Sequence, residues 1–258
     1  MVSTKSNREL ELMRYAGSVV ATVLEKMNDH IKPGVSTLYL DKLAEQWIVE
    51  AGCTPSFKGY GGFPGSICAS VNEVLVHGIP SIDILLKEGD VITIDVGAEF
   101  KGYHADSAWT YAVGAISEET EKLLQVTHDS LFEGLKSAKA GNYLGDISHA
   151  IGSYIKPYGF GIPMDFTGHG IGRNLHEDPA IFNDGIPGRG ILLKEGMTLC
   201  IEPMVQLGTD QTTIDPIDKW TVRSKDHSLT AHYEHTIVIT QDGYEILTKT
   251  NEKEESNG

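Results

Sequence analysis

Residues 78–89 read GIPSIDILLKEG and residues 185–196 read GIPGRGILLKEG, with nine of the twelve positions identical at an offset of 185 − 78 = 107 residues. Agreement at that level is far beyond chance, and an internal repeat governs the whole architecture when it is present. The modest interpretation is one turn motif, Gly-Ile-Pro followed by Lys-Glu-Gly, used twice. The stronger one is a chain of two related halves, each with helices followed by strands. The strands after the repeats support it: VITID (91–95) aligns with TLCIE (198–202), which lays Asp95 on Glu202. Two acids at equivalent places in two halves would face each other across a pseudo-twofold axis and build a central site.

The rest of the chain fits that plan. Leu10, Met13, Val20, Val23, Leu24 and Met27 recur at helical spacing over 7–30, and Pro33-Gly34 ends that helix. Ser36 and Thr37 are natural N-caps for a second helix through Leu40, Leu43, Ala44, Trp47 and Ile48, ending near Gly52. Residues 54–65, TPSFKGYGGFPG, read as an irregular aromatic loop. Strands are expected over 66–76, 91–97 and 104–113, helices over 117–139 and 145–157, a glycine-rich stretch over 159–172, and strands again over 197–206, 219–223 and 232–248.

The segment DVITIDVGAEFKGYHADSAWTYAV (90–113) reads as a hairpin with Phe100-Lys101 or Lys101-Gly102 at its tip. The first choice sets Asp95 directly opposite Asp106. Like charges facing each other destabilise a sheet, and a carboxylate in an apolar strand is costly to bury. A bound cation removes both costs. The second half repeats the pattern with Glu202 in MTLCIEPMV and Glu234 in AHYEHTIVI. Four such carboxylates suit hard divalent cations and could bridge a pair of them. Left without metal they would repel, so some would stay protonated.

Ten histidines are present, and three stand apart. His169 lies between glycines in TGHGIG, His176 follows in NLHEDPA, and His77 ends an apolar run in EVLVHGIP. With the carboxylates they form a set that metal-assisted hydrolysis could use. His104 and His235 adjoin candidate ligands but are offset by one residue, which points them to the opposite face of a strand. Motifs for a Walker phosphate loop, a GxGxxG turn, a GxSxG elbow and an HExxH zinc helix do not occur.

The 258 residues carry 21 Lys+Arg against 36 Asp+Glu, a formal charge of −15, which disfavours binding to DNA or other phosphate backbones. Charged residues at 22% and hydrophobic residues at 40% are those of an ordinary globular chain. Cys53, Cys68 and Cys200 form no disulfide framework, as expected in a reducing, cytoplasmic compartment. The charged start, MVSTKSNRELELMRYAG, is unlike a signal peptide, and no run of about 18 apolar residues could span a membrane. A flexible N-terminus (1–6), a single domain (7–250) and a frayed acidic tail (251–258) are expected.

The order Asp95, Asp106, His169 in GHGIG, Glu202 in IEPM and Glu234 in YEHT resembles the methionine aminopeptidases of the pita-bread fold, metallopeptidases of family M24. VNEVLVHGIP, GHGIGRNLHEDP and EHTIVIT resemble type I of that family, from about residue 7 to about 248. Neither the insertion of type II nor the zinc-binding extension of eukaryotic type I is present, so the resemblance is to the bacterial type. It implies an α+β fold of two pseudo-symmetric halves, a curved antiparallel sheet covered by helices. It also implies two divalent ions (Co²⁺, Mn²⁺, Fe²⁺ or Zn²⁺): Asp95 binding one, His169 and Glu202 the other, Asp106 and Glu234 bridging. A metal-bound hydroxide would attack the carbonyl after an N-terminal methionine when the second residue is small, with Glu202 as general base. His176 would stabilise the oxyanion and His77 would contact the scissile amide or the residue beyond. Phe57, Tyr60, Phe63, Cys68 and Trp220 are candidates to enclose the methionine side chain. Nascent peptides, a transient ribosome contact and a monomeric state complete the expectation.

Three other readings compete. Proline-specific peptidases of the same fold usually carry a large N-terminal domain, for which the first helix near residue 7 leaves no room. A binding protein that had lost catalysis would lack some of the five ligands. A structural Ca²⁺ site would not be expected to use a histidine.

Overall fold

Each copy of the repeat closes onto the segment that leads into a helix of its own half. Leu85 pairs with Ser36 and Leu192 with Tyr143 as isolated antiparallel bridges, the second pair lying 107 residues after the first. The Gly34 amide donates to the Leu86 carbonyl at 2.7 Å, and the Gly141 amide donates to the Leu193 carbonyl at 3.0 Å. Gly34 and Gly141 both hold positive φ, 87° and 93°, where a Cβ would be strained. The repeat is therefore structural as well as textual.

The chain is described here as a computed structural model covering residues 2–249; the acidic tail expected over 251–258 lies outside the described residues. Four helices, α1 (Asn7–Asn28), α2 (Thr37–Glu50), α3 (Glu118–Leu135) and α4 (Leu144–Ile155), cover a set of antiparallel strands. The first half carries β1 (Thr54–Pro55), β2 (Ile67–Val71), β3 (Val74–Val76), β4 (Val91–Phe100) and β5 (Tyr103–Ala112). The second half carries β6 (Gly168–Gly170), β7 (Glu177–Ile181), β8 (Thr198–Ile201), β9 (Met204–Gln206), β10 (Thr212–Ile214), β11 (Val222–Ser224), β12 (Thr230–His232), β13 (His235–Ile239) and β14 (Tyr244–Ile246).

Capping explains where the helices begin. The Ser36 hydroxyl accepts from the Tyr39 amide, the Ser117 hydroxyl accepts from the Thr120 amide, and Ser6 and Glu9 form a capping box. Each half has its own core. Val20, Val23 and Met27 of α1 meet Leu40 and Ile48 of α2 over Ile92, Ile94 and Val96 of β4. Leu131 and Leu135 of α3 meet Ile147 and Ile151 of α4 over Leu199 and Ile201 of β8. Trp109 packs against both clusters and marks the seam. Because side chains alternate along a strand, burying Ile94 and Ile201 against helices turns Asp95 and Glu202 to the opposite, concave face.

β5 and β13 join the halves. The Asp106 amide donates to the Thr236 hydroxyl, that hydroxyl donates to the Asp106 carbonyl, and the Glu234 amide donates to the Ala108 carbonyl. No helix among the described residues is long and apolar enough to cross a membrane.

Several local expectations are corrected. The hairpin turns at Lys101-Gly102, with φ of 51° and 84°, so Asp95 faces Ala108 and Asp106 faces Gly97. A two-residue turn that needs positive φ at both centres favours glycine in one of them and excludes Phe100. Asp95 and Asp106 remain on the same face as diagonal neighbours, not a direct pair. The expected strand 66–76 is broken by a turn at Asn72 (φ 54°). The strands 197–206 and 232–248 are broken after Ile201 and after His232, so Glu202 and Glu234 sit at strand ends; Pro203 lacks the amide that a continuing ladder would use. Helix α3 stops at Leu135, short of 139, and a single 3₁₀ turn (Tyr60–Gly62) lies inside the aromatic loop.

Candidate metal centre and substrate pocket

The concave face carries one cavity of about 370 Å³ whose lining includes Asp95, Asp106, His169, Glu202 and Glu234 together with His77 and His176. Phe57, Tyr60, Phe63, Cys68 and Trp220 line the same cavity. All twelve residues singled out in the sequence therefore share one space.

Their positions follow from the strands. Asp95 and Asp106 project from the middle of the β4–β5 hairpin. His169 sits on β6 opposite Cys200 of β8, and Glu202 and Glu234 leave the ends of β8 and the β12–β13 junction. The His169 Nε2 lies 3.8 Å from Asp106 Oδ2 and 3.6 Å from Glu202 Oε1. Its Nδ1 is 2.8 Å from the Gly170 carbonyl, which fixes the tautomer and leaves Nε2 free to ligate. The Glu202 carbonyl accepts from the Asn183 amide side chain at 2.9 Å, anchoring the backbone beneath the carboxylate.

Burial is deep: Asp106 is 3% exposed and Glu234 2%. Asp95 Oδ1, Asp106 Oδ1 and Glu234 Oε1 are buried with no hydrogen-bond partner. Burial first, then the neighbouring carboxylates Glu234, Asp95 and Glu202, push the Asp106 carboxyl well above its usual range. Glu202 is raised by burial and by Asp95, and Glu234 by burial, Glu202 and Asp95. Groups so arranged cannot all ionise beside one another without a cation. Donor atoms of Asp106, His169, Cys200 and Glu234 lie within 4.8 Å of one another, as do those of Glu202, His232 and Glu234. The orphaned oxygens and the clustered carboxylate and imidazole donors fit divalent metal binding.

The aromatic wall is built by the 54–65 loop. Asp41 holds its end by accepting from the Ser66 and Ile67 amides at 2.7 and 3.1 Å. Gly97 admits Phe57, because a Cβ there would stand 2.8 Å from the phenyl ring. Phe63 and Trp220 meet edge to face with centroids 5.3 Å apart. Tyr60 bonds to His176 Nδ1 at 2.9 Å, and the His176 ring lies 4.3 Å from that of His169. His77 takes a left-handed backbone (φ 60°) and packs edge-on to Trp220 at 6.0 Å, while burial pulls its pKa down to about 4. His104 and His235 turn away from the cavity, bonding Ser56 and Thr248 at 2.9 Å each.

One residue of the site escapes the motif-based reading. His232, 2% exposed, lines the cavity with its Nε2 3.4 Å from Glu202 Oε2. The available signal was its spacing, two residues before Glu234, which puts both on one side of an extended chain. Asp165 and Phe166 also line the cavity.

Residues 11–241 match metallopeptidase family M24. Methionine aminopeptidase 1 of Bacillus subtilis is 52% identical over 249 residues, covering 96% of this chain and all of the relative. The crystal structure of methionine aminopeptidase from Thermotoga maritima superimposes with a TM-score of 0.95 at 43% identity, over 96% of this chain and 100% of that one. That of the Rickettsia prowazekii enzyme gives 0.94 at 41% identity with the same coverage.

Proposed function

The chain belongs to metallopeptidase family M24 and is a metal-dependent hydrolase that removes N-terminal methionine, with type I relatives along nearly its whole length; on that premise we propose how its own residues perform the cut. The observation that carries the reading is the meeting of four carboxylates from two halves, several oxygens orphaned, beside an aromatic pocket.

In this reading Asp95 would hold one ion and His169 with Glu202 the other, with Asp106 and Glu234 contributing to both. When bound, the ions polarise the scissile carbonyl and lower the pKa of water. Glu202 accepts a proton from the attacking water and returns it to the departing amine. With the Tyr60 hydroxyl donating to Nδ1, His176 carries its proton on Nε2 and donates it to the carbonyl oxygen as negative charge develops. His77, neutral at pH 7, meets the scissile amide or the next residue.

The methionine side chain enters among Phe57, Tyr60, Phe63, Cys68 and Trp220. Its burial is worth about 1.5–3 kcal/mol, and the thioether makes favourable contacts with ring edges. In this reading the residue after the methionine is small. Mixed carboxylate–imidazole donors accommodate Mn²⁺, Fe²⁺, Co²⁺ or Zn²⁺. Three free, buried cysteines suit a cytoplasmic location, where nascent chains would be met in brief contact with the ribosome by a monomer.

Release of free methionine from Met-Ala-Ser and Met-Lys-Ser by metal-reconstituted protein tests the proposal, with Asp106→Asn as control. Cleavage of the first peptide alone, lost in the variant, is expected. No cleavage with any of the four metals would replace the reading with that of a binding protein.

A further inference from the structure

We propose that His232 is a metal ligand, giving the metal centre a second imidazole beside Glu202 and Glu234. The inference rests on the two-ion reading above and deepens it.

His232 ends β12, immediately before the break that releases Glu234. It is almost fully buried, and neither ring nitrogen has a hydrogen-bond partner. The other buried histidine among the described residues, His169, has the Gly170 carbonyl as partner, and the half-buried His104 and His235 have Ser56 and Thr248. A buried donor or acceptor left unmatched costs about 1–3 kcal/mol, so two on one ring need a reason. Nε2 reaches to 3.4 Å from Glu202 Oε2, close enough to share an ion with that oxygen. Its donor atom falls within 4.8 Å of those of Glu202 and Glu234.

The two imidazoles thus bracket Glu202, His169 against Oε1 and His232 against Oε2. They differ in support. The His169 ring is oriented by its bond to Gly170, whereas His232 has no protein group fixing its other nitrogen. Partners of that kind contribute 10–100-fold to metal affinity, so the ion on His232 is the weaker of the two. A nitrogen donor at each position also favours Co²⁺, Fe²⁺ and Zn²⁺ over Mn²⁺.

The test uses Co²⁺ added to the metal-free protein. Each bound imidazole gives one hyperfine-shifted, solvent-exchangeable N–H resonance in the proton NMR spectrum. Two such resonances are expected at two equivalents, the second growing in with the weaker ion. His232→Gln, checked for its fold by circular dichroism, should bind the stronger ion as before, lose one resonance, and bind the weaker ion about tenfold or more less tightly. Two ions with a single resonance in the unaltered protein would overturn the inference while leaving the two-ion reading intact, and that count does not depend on the variant folding. A His232→Gln protein that kept both resonances would overturn it equally. One ion with both resonances would keep His232 as a ligand and remove the second ion.

Discussion

The two halves share a backbone plan, yet they divide the labour of the site unequally. The first half presents Asp95 and Asp106 from a hairpin of two unbroken ten-residue strands and supplies the aromatic loop. The second presents Glu202 and Glu234 from the ends of interrupted strands and supplies His169, His176 and His232. Short aspartates suffice where the ladder itself runs beneath the ions. Where the ladder breaks, the longer glutamates reach back to the same point. The repeat thus builds a symmetric cradle of carboxylates, and its divergence gives the first half most of the aromatic wall and His77, and the second half Trp220 and the other three imidazoles.

The sharpest division between cradle and chemistry sets Asp106→Asn against His176→Ala. The first removes a carboxylate that the proposed reading places at the heart of the metal centre, and metal content and turnover should fall together, by at least about 100-fold in activity. The second should leave metal content, read by elemental analysis, unchanged. Its kcat should drop by about 10²–10³, the cost of one donor to a developing oxyanion. Normal turnover in His176→Ala would break the division.

How far this was legible beforehand varies residue by residue. The 107-residue repeat, the alignment of Asp95 with Glu202 and the cap at Ser36 are sequence patterns, and each has its counterpart in the fold. The turn was not legible, because Phe100-Lys101 and Lys101-Gly102 differ by one residue and only the φ values of Lys101 and Gly102 decide between them. The strand breaks at Asn72 and Pro203 lie inside apolar runs that periodicity cannot divide. His232 was marked only by its place two residues before Glu234, and its three-dimensional convergence with Glu202 gives that spacing its meaning.

If the halves are energetic equals, equivalent core positions should respond alike. Ile92 and Leu199, 107 residues apart, are both fully buried, one in each cluster. Ile92→Ala and Leu199→Ala should each cost about 2–5 kcal/mol in denaturant unfolding of the metal-free protein. A single transition in both variants would mean that the halves unfold as one unit. Two transitions in either would separate them.

The site's own charges set a smaller, pH-dependent effect. Asp106, Glu202 and Glu234 have folded pKa values well above their unfolded ones, so the native metal-free state binds more protons and loses stability as pH rises. Buried His77, His169, His232 and His235 are pulled down to about 3–4, which works the other way: stability rises between about pH 4 and the unfolded value near 6.5. Above that point the histidines are neutral in both states and only the carboxylates act. The metal-free protein should therefore lose stability as the pH rises past about 6.5, and Co²⁺ should remove the trend. A flat profile without metal would mean that the four carboxylates do not repel as their burial requires.

The weakest expected effect lies at the rim of the seam. Arg14 of α1 forks onto Glu245 of β14 with contacts of 2.7 and 2.8 Å, tying the first half to the last strand of the second. Both side chains are partly solvated, 42% and 31% exposed, so water and salt screen the pair. Arg14→Ala should cost no more than about 1 kcal/mol, less at high salt. Thr236 fastens the same halves in the interior, with its hydroxyl bonded to both the amide and the carbonyl of Asp106. Thr236→Val keeps the shape but orphans that amide, which costs about 1–3 kcal/mol independently of salt. Should Arg14→Ala prove the more damaging, the halves would be held from the rim; the reverse order places the fastening beneath the metal centre, where it also fixes the carboxylate of Asp106.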